Sequence, residues 1–154
     1  MQKFSHTVYI ECPPQQAFDF LLDLRNDTKW WRQLHFTEKT SLGDVGEGTT
    51  YHQVSGVLFV SIHSDVVVSD VNPPFWFRLT NQSPQLNYKV KYEIEPIDQG
   101  CNVTMIAQIE ANGLLDRLLP LTVKVTKRQL ANNFKNLKSI LEDSATLDPV
   151  SAPV

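Results

Sequence analysis

Residues 114–143, LLDRLLPLTVKVTKRQLANNFKNLKSILED, form the longest stretch of the chain that reads as helix, and the contrast between its faces decides what must lie beneath it. At about 100° per residue, Arg117, Lys124, Arg128 and Lys135 fall in one stripe, with Lys127 and Lys138 at its edge. The opposite face carries Leu115, Leu119, Thr122, Val123, Thr126, Leu130, Asn133, Phe134, Leu137 and Leu141. Its last turns are purely apolar. Its middle turns bury Thr122, Thr126 and Asn133, with Gln129 on the flank, and each such group left unpaired costs roughly 1–3 kcal/mol. Two arrangements supply partners. The threonine hydroxyls can bond back to carbonyls of their own helix while Gln129 and Asn133 reach nearby loops. Alternatively, the helix spans a concave sheet without touching it in the middle, and these side chains face water or a ligand. Pro120 fits as a kink or as the first residue of the longer helix.

Upstream, the sequence supplies the strands of such a sheet. Tyr88, Val90, Tyr92 and Ile94 alternate with Lys89, Lys91, Glu93 and Glu95, the pattern of a strand with one buried and one wet face. Phe4, His6, Val8 and Ile10 alternate in the same way, before Cys12-Pro13-Pro14 ends that strand and opens a short helix with Ala17, Phe18, Leu21 and Leu22 on one stripe. Asn26 and Asp27 can cap a second short helix, whose Trp30 and Trp31 carry large apolar area, one of them packing inward. Strands are expected at about 36–40 and 49–55, with Gly43, Gly46 and Gly48 in the turn between them. A long strand is expected from Val57 to Val71. After Asn72-Pro73-Pro74 another resumes with Phe75, Phe77 and Leu79 on one face, and a last strand over 101–112 puts Val103, Met105, Ala107 and Ile109 inward. The chain reads as one domain over 1–143, and the tail 144–154, which lacks core-forming periodicity, is expected to be disordered.

Composition narrows the function classes. A 154-residue chain with 42% hydrophobic and 20% charged residues is an ordinary globular domain. At this size about 70% of the extended-chain surface leaves water, enough for an interior that need not be completely filled. A net charge of −3 argues against a nucleic-acid surface. No apolar run approaches the roughly 20 residues of a membrane span, and the N-terminus has charge and strand alternation in place of a signal peptide's apolar region, so a cytoplasmic protein is expected. Cys12 and Cys101 are too few for a disulfide framework and lack metal spacing; no metal or other cofactor is expected. The glycines at 43, 46 and 48 are not followed by the Gly-Lys-Ser/Thr of a phosphate loop.

Several local motifs, in this order and spacing, resemble those of the START-like (SRPBCC, polyketide cyclase/dehydrase and lipid-transport-like) superfamily. They are the opening strand with PPQQAFDFL (13–21), Asp23 through Trp31, GEGTTY (46–51), Val68 through Phe77 with its Pro-Pro turn, and LKSILE (137–142). The resemblance covers nearly the whole chain. It implies the α+β helix-grip fold: a seven-stranded curved antiparallel sheet wrapped around a long C-terminal helix, with two short helices after strand 1 closing one end of a cavity. It also implies that the first and last strands are adjacent, which would bring Cys12 near Cys101.

Three functions compete. The first is a binding module for an apolar or aromatic small molecule such as a lipid, isoprenoid or polyketide-like compound. In it Phe75, Phe77, Tyr88, Val90, Tyr92 and Met105, with Trp30 and Leu119, form an apolar wall, and Tyr51, Gln53, Thr122, Thr126, Gln129 and Asn133 orient the ligand. A filled core explains the same aromatics. The second is a cyclase-, aromatase- or lyase-type enzyme, which needs a general acid or base. His6, Tyr88 and Tyr92 are its candidates; His35, His52, His63 and Asp65 read as surface or strand-end residues, no catalytic triad or metal cluster is apparent, and no catalytic machinery is expected. The third is a regulatory module meeting another protein through the basic helix or a strand edge. The basic stripe is either a solvated exterior or a contact for acidic lipid or a partner, and the overall negative charge weakens the latter.

Overall fold

A computed structural model of the chain describes the backbone of residues 2–57, 59–84 and 86–151, and the side chains of all of these except 57, 82, 114, 115, 118–126 and 146–151. Strand β1 (Gln2–Ile10) leads into helix α1 (Pro14–Leu22), a single 3-10 turn (Leu24–Asn26) and the short helix α2 (Asp27–Trp30). Six strands follow: β2 (Leu34–Lys39), β3 (Thr50–Val57), β4 (Val60–Asn72), β5 (Trp76–Gln82), β6 (Leu86–Ile97) and β7 (Gly100–Ala111). Helix α3 (Leu114–Ser151) closes the chain. This is the α+β helix-grip architecture.

The seven strands make one antiparallel sheet in the order β1-β7-β6-β5-β4-β3-β2. Because β1 pairs with β7, the sheet's connectivity returns on itself, with Ile10 opposite Cys101. Cys12 and Cys101 are both buried, free thiols. The interaction with Cys101 is the first cause of the upward push on the Cys12 thiol, ahead of burial. Their proximity follows from the strand pairing. The alternation along β7 is as expected, Val103, Met105 and Ala107 buried while Gln108 is exposed. Register shifts near Ser69 in β4 and near His35 in β2 mark bulges, the local device by which a sheet bends.

α3 grips the sheet through Leu130, Phe134, Leu137 and Leu141, all buried. Phe134 is wedged between the His6 ring of β1 (4.9 Å) and the Trp30 indole of α2 (5.5 Å). α1 adds Ala17, Phe18 and Leu21, with Phe18 edge-on to Phe77 of β5 at 5.5 Å. The core therefore joins the last turns of α3, both short helices and the inner face of the sheet.

Three expectations need correction. The run Val57–Val71 is not one strand: Val57 ends β3 and faces Val60, the first residue of β4, across a tight hairpin. Val57, Leu58, Phe59 and Val60 are four successive apolar residues, so periodicity marks no break there, and Gly56 is the one local turn residue. Phe75 does not share a face with Phe77 and Leu79; it lies in the turn before β5, 49% exposed, its amide bonded to the Asn72 carbonyl at 2.8 Å. Finally, α3 continues beyond its expected end near Glu142, and Ala145 still packs against the core.

Candidate functional site

The inner face of the sheet changes character along its length. Val66, Val68, Phe77, Ile94, Val103 and Met105 are buried and apolar, and Phe77 stacks on Tyr92 at 5.0 Å. Toward the other end of the strands the same face carries Gln53 and Ser64, directly paired between β3 and β4, then Asn81 and Tyr88, directly paired between β5 and β6. Gln53, Ser64 and Asn81 are all buried. Burying a row of amides and hydroxyls is costly unless each finds a partner. Asn81 Nδ2 donates to the Leu86 carbonyl at 2.9 Å, while its Oδ1 is buried without a partner among the described residues.

Gln53 reaches away from the sheet, its Nε2 donating to the Asp27 carboxylate at 3.1 Å and to Thr37 Oγ1 at 3.2 Å. Asp27 opens α2 and is carried over the concave side by the packing of Trp30, its neighbour one helical turn on. Burial pushes the Asp27 carboxyl up to about 7 against the opposing hydrogen bond from Gln53. The Trp30 indole favours the ionised form, yet its Nε1 lies outside hydrogen-bond geometry and is buried without a partner among the described residues. Burial also raises the hydroxyls of Tyr88 and Tyr92, and the charge of Asp27 adds to both shifts.

The remaining candidates fall into distinct places. Tyr51 is buried and its hydroxyl donates to the Leu22 carbonyl at 3.4 Å; burial raises it to about 12. Asn133 accepts from the Arg32 amide at 3.3 Å and donates to Gln33 Oε1 at 2.8 Å, so it ties α3 to the loop after α2. Val90 and Gln129 are half-buried, and Phe75 is outside the group altogether. The side chains of Leu119, Thr122 and Thr126 lie outside the described residues. Sequence reading missed Asp27 and Ser64. Asp27 was legible as a helix-capping residue, and only the position of Gln53 across the fold turns it into an interior group.

On the helix's other side, Arg117, Lys127, Arg128 and Lys135 are exposed, whereas Lys138 bends to β1 and bonds the Tyr9 carbonyl at 2.8 Å and Glu142 at 2.7 Å. Two recesses of about 240 Å³ lie mainly on the outer face of β5, β6 and β7, around Thr80, Lys89 and Gln108, and border the polar row at Asn81 and Tyr88. Among the described residues, no group of three or more His, Cys, Asp or Glu is placed to hold a metal ion, and no helix is long and apolar enough to cross a membrane.

A single open sheet closed on a terminal helix, with a mixed polar and apolar inner face, defines the class of helix-grip proteins. Within that class the chain belongs to the family described as polyketide cyclase / dehydrase and lipid transport, whose model matches residues 1–142. The fold is similar to that of a START superfamily protein from Mycobacterium smegmatis, at 13% identity over 92% of this chain and 97% of that one, with a TM-score of 0.71. It is also similar to a Thermus thermophilus protein at 16% identity, over 96% of this chain and 99% of that one, with a TM-score of 0.70. A third likeness is to the di-domain ARO/CYC StfQ from the steffimycin biosynthetic pathway, at 10% identity over 94% of this chain and 51% of that one, TM-score 0.72. No curated protein matches the chain by sequence.

Proposed function

We propose that the protein binds an apolar or aromatic small molecule, such as a lipid, isoprenoid or polyketide-like compound, in an internal cavity between the sheet and the middle turns of α3. The observation that carries this reading is polar capacity buried on the inner side without partners: Trp30 Nε1 and Asn81 Oδ1 are buried and unbonded among the described residues, beside the buried Gln53 and Ser64. A filled apolar core has no use for such groups, whereas a ligand site sets a few of them in an otherwise apolar wall. Family membership supports the same class of ligand.

Native mass spectrometry of the purified full chain, followed by organic extraction, tests the proposal. The expected spectrum contains a species heavier than the 17.5 kDa chain by one small molecule, and the extract contains that apolar compound. A chain that carries nothing, and that takes up none of a panel of lipids, isoprenoids and aromatic polyketides, would refute it.

A further inference from the structure

The interior group hardest to account for by folding alone is Asp27. One described hydrogen bond reaches its carboxyl, from Gln53 Nε2 at 3.1 Å, although two oxygens offer about four acceptor positions. No Lys, Arg or His pairs with it among the described residues. A carboxylate without a cation in an apolar enclosure is a cost to folding that function has to justify. The Asp27 carboxyl meets the sheet at Gln53 of β3, whose amide also reaches Thr37 of the edge strand β2, and Gln53 is paired with Ser64 in the polar row of the inner face.

We propose that Asp27 is the polar anchor of the interior site and selects ligands that present a neutral hydroxyl, alcoholic or phenolic, at one end of an apolar body. This rests on the binding reading above and names the ligand's recognised group. The chemistry follows from what surrounds the carboxyl. Both Gln53 amide hydrogens go to Asp27 and Thr37, and the acceptors left open along the polar row include the Asp27 carboxyl and Asn81 Oδ1, which is buried without a partner among the described residues. The missing partner must therefore donate. An ammonium group would donate as well, but one carboxylate among tyrosines and apolar side chains does not repay the loss of an ion's hydration, whereas a hydroxyl gives up far less. Trp30 Nε1, buried beside the carboxyl without a partner among the described residues, supplies a donor that the same hydroxyl oxygen can accept from. A single hydroxyl can then be held twice, as donor to Asp27 and acceptor from Trp30.

The test compares three probes of one shape: 2-naphthol, its methyl ether 2-methoxynaphthalene, and the ammonium 2-naphthylmethylamine. Each is titrated calorimetrically into the wild-type chain and into Asp27→Asn at about pH 5.5 and about pH 8, either side of the carboxyl's transition. The groups facing Asp27 are Asp23 at the end of α1, held below the usual carboxylate range first by its Arg25 hydrogen bond, and the raised hydroxyls of Tyr51, Tyr88 and Tyr92. None of these changes charge in that window. Wild type is expected to prefer naphthol over the ether by about tenfold or more at the higher pH, the usual worth of a hydrogen bond to a charged group, and by less at the lower pH. In Asp27→Asn the preference should shrink to about threefold or less and no longer depend on pH. Equal preference in the two proteins, or tighter binding of the ammonium than of naphthol, overturns the hydroxyl assignment and leaves the binding reading standing. Failure of every probe to bind counts against both. Should Asp27→Asn not fold, a wild-type preference that is flat with pH overturns the proposal by itself.

Discussion

Asp27 has a carboxyl at about 7 in the fold, against 3.8 as its ordinary value, and the sign of its effect on stability follows from that difference. A group raised in the folded state stabilises most when both states hold the proton, below about pH 3.8, and loses that contribution as pH climbs through about 7. Asp27→Asn keeps the shape and removes the titration. We expect the variant and the wild type to be within about 1 kcal/mol at pH 4, and the variant to be the more stable by about 2–4 kcal/mol at pH 8. Urea unfolding at the two pH values measures this, and a difference that does not grow with pH would show that the carboxyl is solvated. The same residue shows what a sequence withholds. Asn26-Asp27 ahead of Trp30 is readable as a helix start, but the inward aim of the carboxyl depends on Gln53, 26 positions away, and no periodicity links the two. Asn133 was open between two readings, and its bonds to Arg32 and Gln33 realise the loop-bridging one.

The strands were legible where one face is wet: in β6 a lysine or glutamate at every second position reports the pleat directly, and in β7 Asn102, Thr104, Gln108 and Glu110 do so more weakly. Legibility failed at Val57, where the apolar run Val57-Leu58-Phe59-Val60 carries the hairpin, and at Phe75, where a turn interrupts an apolar series. Pairing partners were not in the residues at all; the adjacency of β1 and β7 came from family resemblance. That pairing makes two glycines unequal. A methyl group at Gly100 would stand 2.3 Å from the Ile10 carbonyl oxygen and 2.9 Å from the Tyr9 hydroxyl, so β1 and β7 would have to separate. At Gly56 the nearest atom, 2.8 Å away, is Nε2 of His35, the far end of a side chain that can swing aside. Gly100→Ala is therefore expected to cost about 2–4 kcal/mol or prevent folding, and Gly56→Ala less than about 0.5 kcal/mol in either direction. Thermal melts of the two variants decide, and equal losses would mean that the β1–β7 contact tolerates an opening.

At the scale of the whole molecule, the proposed cavity sets an open interior against a tight grip, and a division of α3's length reconciles the two. Leu130, Phe134, Leu137 and Leu141 lock its later turns against β1, β7 and α2, with Lys138 bonded to the Tyr9 carbonyl across the same junction. That half supplies packing on which the fold depends, and the proposed cavity asks for room only beneath the earlier turns. A cavity kept for a ligand is a deficit of contacts in the empty protein, and occupation should return those contacts as stability. At a ligand concentration of about 100 times its Kd the gain is about 2.7 kcal/mol, which for a domain of this size raises the melting temperature by about 5–10 °C. The rise should scale with the logarithm of ligand concentration once the site is saturated, because linkage acts on the folded state alone. A hydroxylated naphthalene should produce it in wild type and its methyl ether should produce less at equal concentration. If neither compound moves the melting temperature at concentrations well above those at which calorimetry detects binding, the compounds bind folded and unfolded chain alike and do not use the folded interior.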